Sequence, residues 1–399
     1  MNVEELFNDI ERIGYAKELN GINEKPRPVK ILDTTLREGE QSPGISFTMR
    51  QRLQIAWMLD YFGVDAIEIS PIISESHFES CKKLVKAGLS AKIVAHIRTL
   101  KEDIDVALKC DADYVAMYHS VSDIHLKYKL KVSREEAIRR TVNAVDYAKA
   151  HGLYLRVTLE DASRADPRFI VQFSKEMERA KVDRLSIPDT VGIMRPQGMY
   201  NLVKLVKNSV SMPIDVHCHN DMGLALANAL AGYEAGADQI HASINGLGER
   251  VGITDLAQLV MALTVIYGLK LNVRYDMLKE LYDLVTSYTG FKTYVAAPLI
   301  GENAYKHKAG THIAAVINNP KAYEIVPPHL IGNRRSLVFG ELLGKNGAIF
   351  FLNLLGLNPN EEMAKKFAQG IKKLQKGDLF ELQLTKDMEK LFLHQQIEG

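Results

Sequence analysis

A chain of 399 residues, 46% hydrophobic and 25% charged, has the composition of an ordinary folded protein, with room for one large barrel plus an appendage or for several smaller domains. Its 50 Lys and Arg against 49 Asp and Glu leave no global field to draw nucleic acid or an anionic membrane, so any anionic ligand must be held by local groups. Three cysteines, Cys81, Cys110 and Cys218, offer no disulfide framework and suit a reducing cytoplasm, and no stretch reaches the roughly 18 apolar residues of a membrane span, so secretion and membrane insertion are not expected.

Residues 1–28 open with MNVEELFNDIERIG, acidic and amphipathic, and read as an N-terminal helical extension. From 29 to 275, β-rich segments recur: VKILDTTLR, AIEIS from 66, AKIVAHI from 91, YVAMYH from 114, YLRVTLE from 154, RLSIPD from 184, IDVHCH from 214 and QIHASING from 239. Between them lie stretches of helical period, such as TMRQRLQIAWMLDYFG and SREEAIRRTVNAVDYAKAHG, each ending on a glycine suited to a C-terminal cap. Eight such units in about 250 residues predict an α/β fold, a (β/α)8 TIM barrel, with an open doubly wound sheet as the second choice. The rhythm changes over 276–399. LKELYDLVTSYTG is helical, a Gly-, Pro- and Asn-rich segment carries HKAGTH, and the rest reads as amphipathic helices, so a C-terminal helical appendage is expected there.

In such a barrel the chemistry sits where strands end. ILDTTLREGEQ places Asp33, Arg37, Glu38 and Glu40 at the end of the first strand, where burial without partners would be costly. His96, His119, Glu160, Asp189 and Thr190 fall at the ends of later strands. HCHND is the clearest metal signal, because His217 and His219, two apart on a strand, share a face while Cys218 turns toward the helices. Two imidazoles and a carboxylate suit a catalytic divalent cation, with Glu38 the candidate third ligand; two hydrogen-bonded core histidines are the alternative. Arg37 fits a carboxylate or a developing oxyanion, or else a rim salt bridge. Arg156, Thr158 and Glu160 alternate along one strand face and make either a ligand site or a buried pair of Arg156 with Glu160. INGLGERVG, with Gly246 and Gly248, stands where barrels bind phosphate-bearing groups, although a tight turn explains it nearly as well. KYKLK, at 127–131, reads as an exposed basic loop.

Together, DTTLREGEQ, HCHNDMGLALANALAGYEAGAD, NGLGERVG and HKAGTH resemble the Claisen-condensing acyltransferases that include homocitrate, 2-isopropylmalate and citramalate synthases. The resemblance implies Glu38, His217 and His219 as ligands of a divalent metal (Mg, Mn, Zn or Co). It implies Arg37, Glu160 and His312 in the chemistry, Arg37, His96, Arg156, Thr158 and Thr190 around the oxo acid, and Gly246 and Gly248 toward acetyl-CoA. It also implies a homodimer, with the appendage completing active site and dimer. IVAHI and GERVGIT resemble the homocitrate synthases of lysine biosynthesis, which act on 2-oxoglutarate. SPIISESH and Ile317 depart from that pattern, so a citrate synthase of Re type acting on oxaloacetate and the isopropylmalate or citramalate synthases stand as alternatives. The related HMG-CoA-type lyases carry a cysteine in the loop where this chain has none.

Overall fold

The computed structural model describes residues 2–21, 26–374 and 378–384. Strands Lys30–Asp33 (β1), Ala66–Ile69 (β2), Lys92–Arg98 (β3), Tyr114–Ser120 (β4), Tyr154–Glu160 (β5), Arg184–Asp189 (β6), Ile214–Cys218 (β7) and Gln239–Ala242 (β8) form a closed parallel barrel in sequence order. Closure is made by β1 against β8, in register Lys30↔Gln239 through Asp33↔Ala242. The open-sheet alternative is excluded.

The helices form where their signals lie. Met49–Phe62 begins with a capping box, Thr48 with Gln51, and ends at a left-handed Gly63. Its fully buried Ile55, Leu59 and Phe62 each contribute roughly 1.5–3 kcal/mol of burial against the sheet. Arg134–Ala150 is capped by Ser133, whose side chain accepts from the Glu136 N–H.

Alternation decides what enters the barrel. Leu32, Ala66, Val94, Tyr114 and Ala116 form a small apolar cluster of their own inside the barrel, separate from the large core between strands and helices. The same parity turns Glu68, His96, Arg156, Arg184, Asp215 and His241 inward, so the interior carries ionisable groups next to that apolar cluster. Arg184 donates to Asp215 at 2.9 and 2.5 Å, and Asp215 in turn lies 3.3 Å from His241.

Beyond the barrel the helical expectation needs correction. Helices Leu278–Thr289, Gly310–Asn318, Lys345–Leu354 and Glu361–Lys373 are present, but so is a three-stranded sheet of Lys306–His307 (β9), Ser336–Gly340 (β10) and Asp378–Gln383 (β11), in the order β11-β10-β9. β9 is two residues long, too short to show a period, and β10 gains its strand character from antiparallel pairing with β11 about 40 residues later. Ile313, Leu337, Leu343, Ala348 and Ala364 form a second small core there. The N-terminal segment is helical in short pieces, Val3–Asn8, Ile10–Ile13 and Ala16–Leu19, and Lys321 pairs back to Asp9 and Glu11. Among the described residues no helix is long and apolar enough to cross a membrane.

Two glycines share a left-handed backbone but not their surroundings. A Cβ on Gly252 (φ +86) would lie 1.8 Å from the Gly246 carbonyl oxygen, whereas one on Gly290 (φ +67) meets nothing within 4 Å. Gly290→Ala should therefore cost about 1–2 kcal/mol of unfolding free energy, the left-handed penalty alone. Gly252→Ala should cost clearly more, or fail to fold. Equal losses in chemical denaturation would refute the steric account.

Candidate active site

A cavity of about 400 Å³ opens at the C-terminal ends of the strands. Arg37, Glu38, His96, Arg156, Thr158, Glu160, Thr190, His217 and His219 all line it. Of the residues that the family resemblance implies for the site, His312, Gly246 and Gly248 lie outside it, as do the strand-end candidates Asp33, Glu40, His119 and Asp189.

Glu38 stands on the turn after β1, where its N–H donates to the Thr34 carbonyl at 2.8 Å. His217 is the penultimate residue of β7 and His219 lies just beyond the strand. Their Nε2 atoms are 3.3 Å apart, and each is 3.9 Å from a Glu38 oxygen. Donors about 2.0–2.2 Å from a divalent cation sit roughly 3 Å from one another, so this trio needs only a slight contraction to hold one. Burial, before the effects of neighbouring His219 and Arg37, pushes His217 well below the ordinary imidazole range, and burial likewise lowers His219. Neutral imidazoles facing one another with a carboxylate beside both are a donor set suited to a divalent metal. Both Nδ1 atoms are buried without a partner.

Arg37 donates to Glu38 and, through Nε at 2.5 Å, to Glu68. Glu68, fully buried on β2, also accepts from Thr34 Oγ1 at 3.0 Å and from Arg156. Burial raises its pKa, but Arg156 and Arg37 outweigh that and hold the carboxyl well below its usual value. The expected alternative pairing of Arg156 with Glu160 is thus corrected. Arg156 is met by Glu68 from β2 and by His241 Nε2 at 3.2 Å, while Glu160 accepts from Ser120 and, at 2.6 and 2.7 Å, from Lys129. The basic segment is exposed as expected, and the Lys129 ammonium also reaches the cavity, from a π-helical turn, Leu126–Leu130.

His96 is pushed down to about 3, first by burial and then by Arg37, so it meets ligands as a neutral ring, stacked on Tyr118 at 5.2 Å. Thr158 Oγ1, Arg156 Nε and Ser186 Oγ are buried with no partner. Thr190 spends its hydroxyl accepting from the Asp161 N–H at 2.9 Å. His119 and Asp189, although at strand ends, do not line the cavity. His119 bonds the Ser120 carbonyl and packs toward Phe173, and Asp189 accepts from the N–H groups of Ile193 and Met194. Gly246 and Gly248 line a neighbouring cavity of about 440 Å³. Gly248 is small for a further reason, since a Cβ there would come 3.1 Å from Glu38 Cγ. His312 is exposed on the helix Gly310–Asn318, stacked on Tyr323 at 3.9 Å.

Sequence reasoning missed Glu68, Asp215, His241 and Lys129. Asp215 stands two residues before His217 on the same strand face, and the parity applied to Arg156, Thr158 and Glu160 finds it, whereas nothing in the strands of Glu68 and His241 marks an inward-facing position.

Two family descriptions match the chain, "HMGL-like" over residues 28–285 and "Homocitrate synthase post-HMGL domain-like" over 299–378. A probable 2-isopropylmalate synthase of Methanopyrus kandleri is 43% identical over 350 residues, 88% of this chain and 70% of the relative. A homocitrate synthase of the same organism is 40% identical over 361 residues, 90% of this chain and 91% of the relative. Among solved structures, the HMG-CoA lyase of Bacillus subtilis aligns with a TM-score of 0.61 at 18% identity over 67% of this chain and 96% of that one, a likeness in fold.

Asp33, at the foot of the charged turn, gives a pH test. Burial pushes its carboxyl up to about 7 against the lowering effect of the Thr35 N–H, and its Oδ2 has no partner. A raised carboxyl holds a proton in the folded state that the unfolded chain has released, so its contribution to stability is lost as pH rises from about 4 to about 7. Asp33→Asn should gain about 2–4 kcal/mol relative to the parent on going from pH 4 to pH 7.5. Parallel stability-against-pH curves for the two proteins would show that Asp33 ionises normally.

Proposed function

The chain belongs to the HMGL-like family, and within it we propose an enzyme that condenses acetyl-CoA with a 2-oxo dicarboxylic acid, 2-oxoglutarate before oxaloacetate, to give homocitrate and CoA. Its relatives are acyl-transferring synthases, and it is an acyltransferase of that kind. The observation that carries the dicarboxylate reading is the set of partnerless polar atoms, Arg156 Nε, Thr158 Oγ1 and Ser186 Oγ, in the cavity that holds Glu38, His217 and His219. Buried donors left unmade cost about 1–3 kcal/mol each, which a carboxylate ligand relieves and an apolar chain does not.

Glu38, His217 and His219 would hold a divalent cation (Mg, Mn, Zn or Co), which when bound supplies a Lewis acid for the ketone. Glu160 accepts the proton of the acetyl methyl group, and Lys129 and Ser120 fix its carboxylate toward the cavity. When Glu160 takes that proton, the Lys129 ammonium is freed to face the negative charge left on the thioester oxygen. Arg37, beside the metal ligands, donates to the oxygen that gains charge as the new carbon–carbon bond forms. Hydrolysis of the thioester then releases CoA and makes the synthesis irreversible. His312 would return or take a proton from the other subunit of a homodimer, since within one chain it lies away from this cavity. The neighbouring cavity, with Asn220, Asn245 and Gln258 among its polar groups and Gly246 and Gly248 in its wall, suits the amide-bearing arm of acetyl-CoA.

Ile72 and Ile73, in the loop after β2, give the same cavity one apolar wall. They favour the second reading, a 2-isopropylmalate synthase acting on a branched oxo acid. A panel of oxo acids with acetyl-CoA, followed by thiol release, separates the two. 2-Oxoglutarate should lead, oxaloacetate should follow by roughly 10- to 200-fold, and 2-oxoisovalerate should be poor. Turnover of 2-oxoisovalerate or pyruvate alone would overturn the dicarboxylate assignment.

Glu160→Gln should lower turnover by about 10²–10⁴ with little change in melting temperature. A fallen melting temperature with normal turnover would leave Glu160 a structural partner of Lys129. Mixing inactive His312→Ala and Glu38→Ala subunits should restore activity if the site is shared between chains. No recovery after confirmed subunit exchange would assign each site to a single chain.

A further inference from the structure

Arg250 is a side-chain-bearing residue in the left-handed region (φ +59), on the loop after β8 that also holds Asn245, Gly246 and Gly252 at positive φ. An arginine there needs compensation. Its Nε donates to Asp221 Oδ1 at 2.7 Å, and one terminal nitrogen donates to Asp221 Oδ2 at 2.9 Å and to the Thr190 carbonyl at 2.8 Å. One guanidinium thereby fastens the loops after β6, β7 and β8. The bond to Asp221 is a two-point fork, a geometry that a loose surface ion pair lacks.

What those loops carry gives the fastening its meaning. The loop after β7 follows directly from His219, two residues before Asp221. The loop after β8 touches Glu38, since the Glu249 N–H donates to Glu38 Oε1 at 2.9 Å and Gly248 lies against its side chain. The loop after β6 is seated on Asp221 itself, because a Cβ on Gly192 would come 2.8 Å from Asp221 Oδ2. The two strands of the connection are also tied through backbone, with the Asn220 N–H donating to the Gly252 carbonyl at 3.0 Å and the Thr254 N–H to that of Cys218 at 3.2 Å. Arg250 further borders both cavities and stands between them.

We propose that Arg250 is a positioning residue for the metal centre, a latch that, through Asp221 and the Thr190 carbonyl, holds Glu38 and His219 at the separation a divalent cation requires. The latch rests on the reading of Glu38, His217 and His219 as ligands. It does not depend on which oxo acid the enzyme uses.

Mn²⁺ binding to the chelator-stripped full chain, read by electron paramagnetic resonance of the free ion, tests it without any turnover. Arg250→Gly accepts the backbone conformation and removes the fork, so it should melt with the parent in the absence of metal yet bind Mn²⁺ at least 10-fold more weakly. Arg250→Lys should recover part of the loss. Asp221→Asn combined with Arg250→Gly should bind no more weakly than Arg250→Gly alone, as expected for two ends of one contact. Affinity for Mn²⁺ within twofold of the parent in Arg250→Gly would overturn the latch. So would a metal-free melting temperature that falls in step with affinity across all three variants. If His219→Ala binds Mn²⁺ as tightly as the parent, the metal site is wrong and the latch falls with it, a result distinct from failure of the latch alone.

Discussion

Glu68 has no water to turn to. A carboxylate with no exposed surface, at mid-height in a barrel, must be neutralised by its own protein, and two guanidiniums from opposite directions do so. From that pair a chain of charged and polar contacts runs through the barrel. Arg184 meets Asp215, Asp215 lies beside His241, His241 beside Arg156, Arg156 meets Glu68, Glu68 meets Arg37, and Arg37 meets Glu38. Removing one link leaves its neighbours buried and unpaired, which costs more than the link contributes on its own. The strands that carry these residues are thereby fixed against each other in a way that apolar packing, tolerant of repacking, does not achieve.

The chemistry inherits this order. The last link is Glu38, the acid of the proposed donor trio, so the position of that carboxylate is set from the floor of the barrel as well as from the loops above it. Burial keeps His96, His217 and His219 neutral, and the charges of Arg37, Arg156 and Lys129 are matched by those of Glu38, Glu68 and Glu160. A doubly charged cation and a doubly charged anion can enter such a cavity together without leaving net charge behind.

Much of this was legible in the sequence, for reasons that differ by level. The barrel strands are buried on both faces and so stand out as short apolar runs, and their number pointed to closure. His217 and His219 were found because the period of two is strict. The partner of Arg156 was not, because the sequence displays a nearby Glu160 on the same strand, whereas Glu68 comes within reach only after the chain has closed into a barrel. Lys129 looked like part of a basic surface loop since its cavity-facing geometry depends on a π-helical turn. The small C-terminal sheet escaped because β9 is too brief to show a pattern and β10 and β11 specify each other across a long connection. His312 belongs to a different order of question. Its surroundings in one chain, an exposed helix and the ring of Tyr323, say nothing of what a second copy would bring near it.

Support and specificity rest on different parts of the fold. The proposed donor trio and its charge chain are built into strands and their immediate turns, and a change at Glu68 or Asp215 disturbs several residues at once. Ile72 and Ile73 hang on a loop, held at its base by Ser70 donating to the His96 carbonyl at 2.8 Å, and touch the cavity without joining the chain. A change in that loop would reshape one wall of the cavity while leaving the proposed donor trio and the charge chain in place. A scaffold divided in this way diversifies cheaply, and a set of sister enzymes sharing one reaction but differing in the acid they accept is the lineage it would be expected to leave.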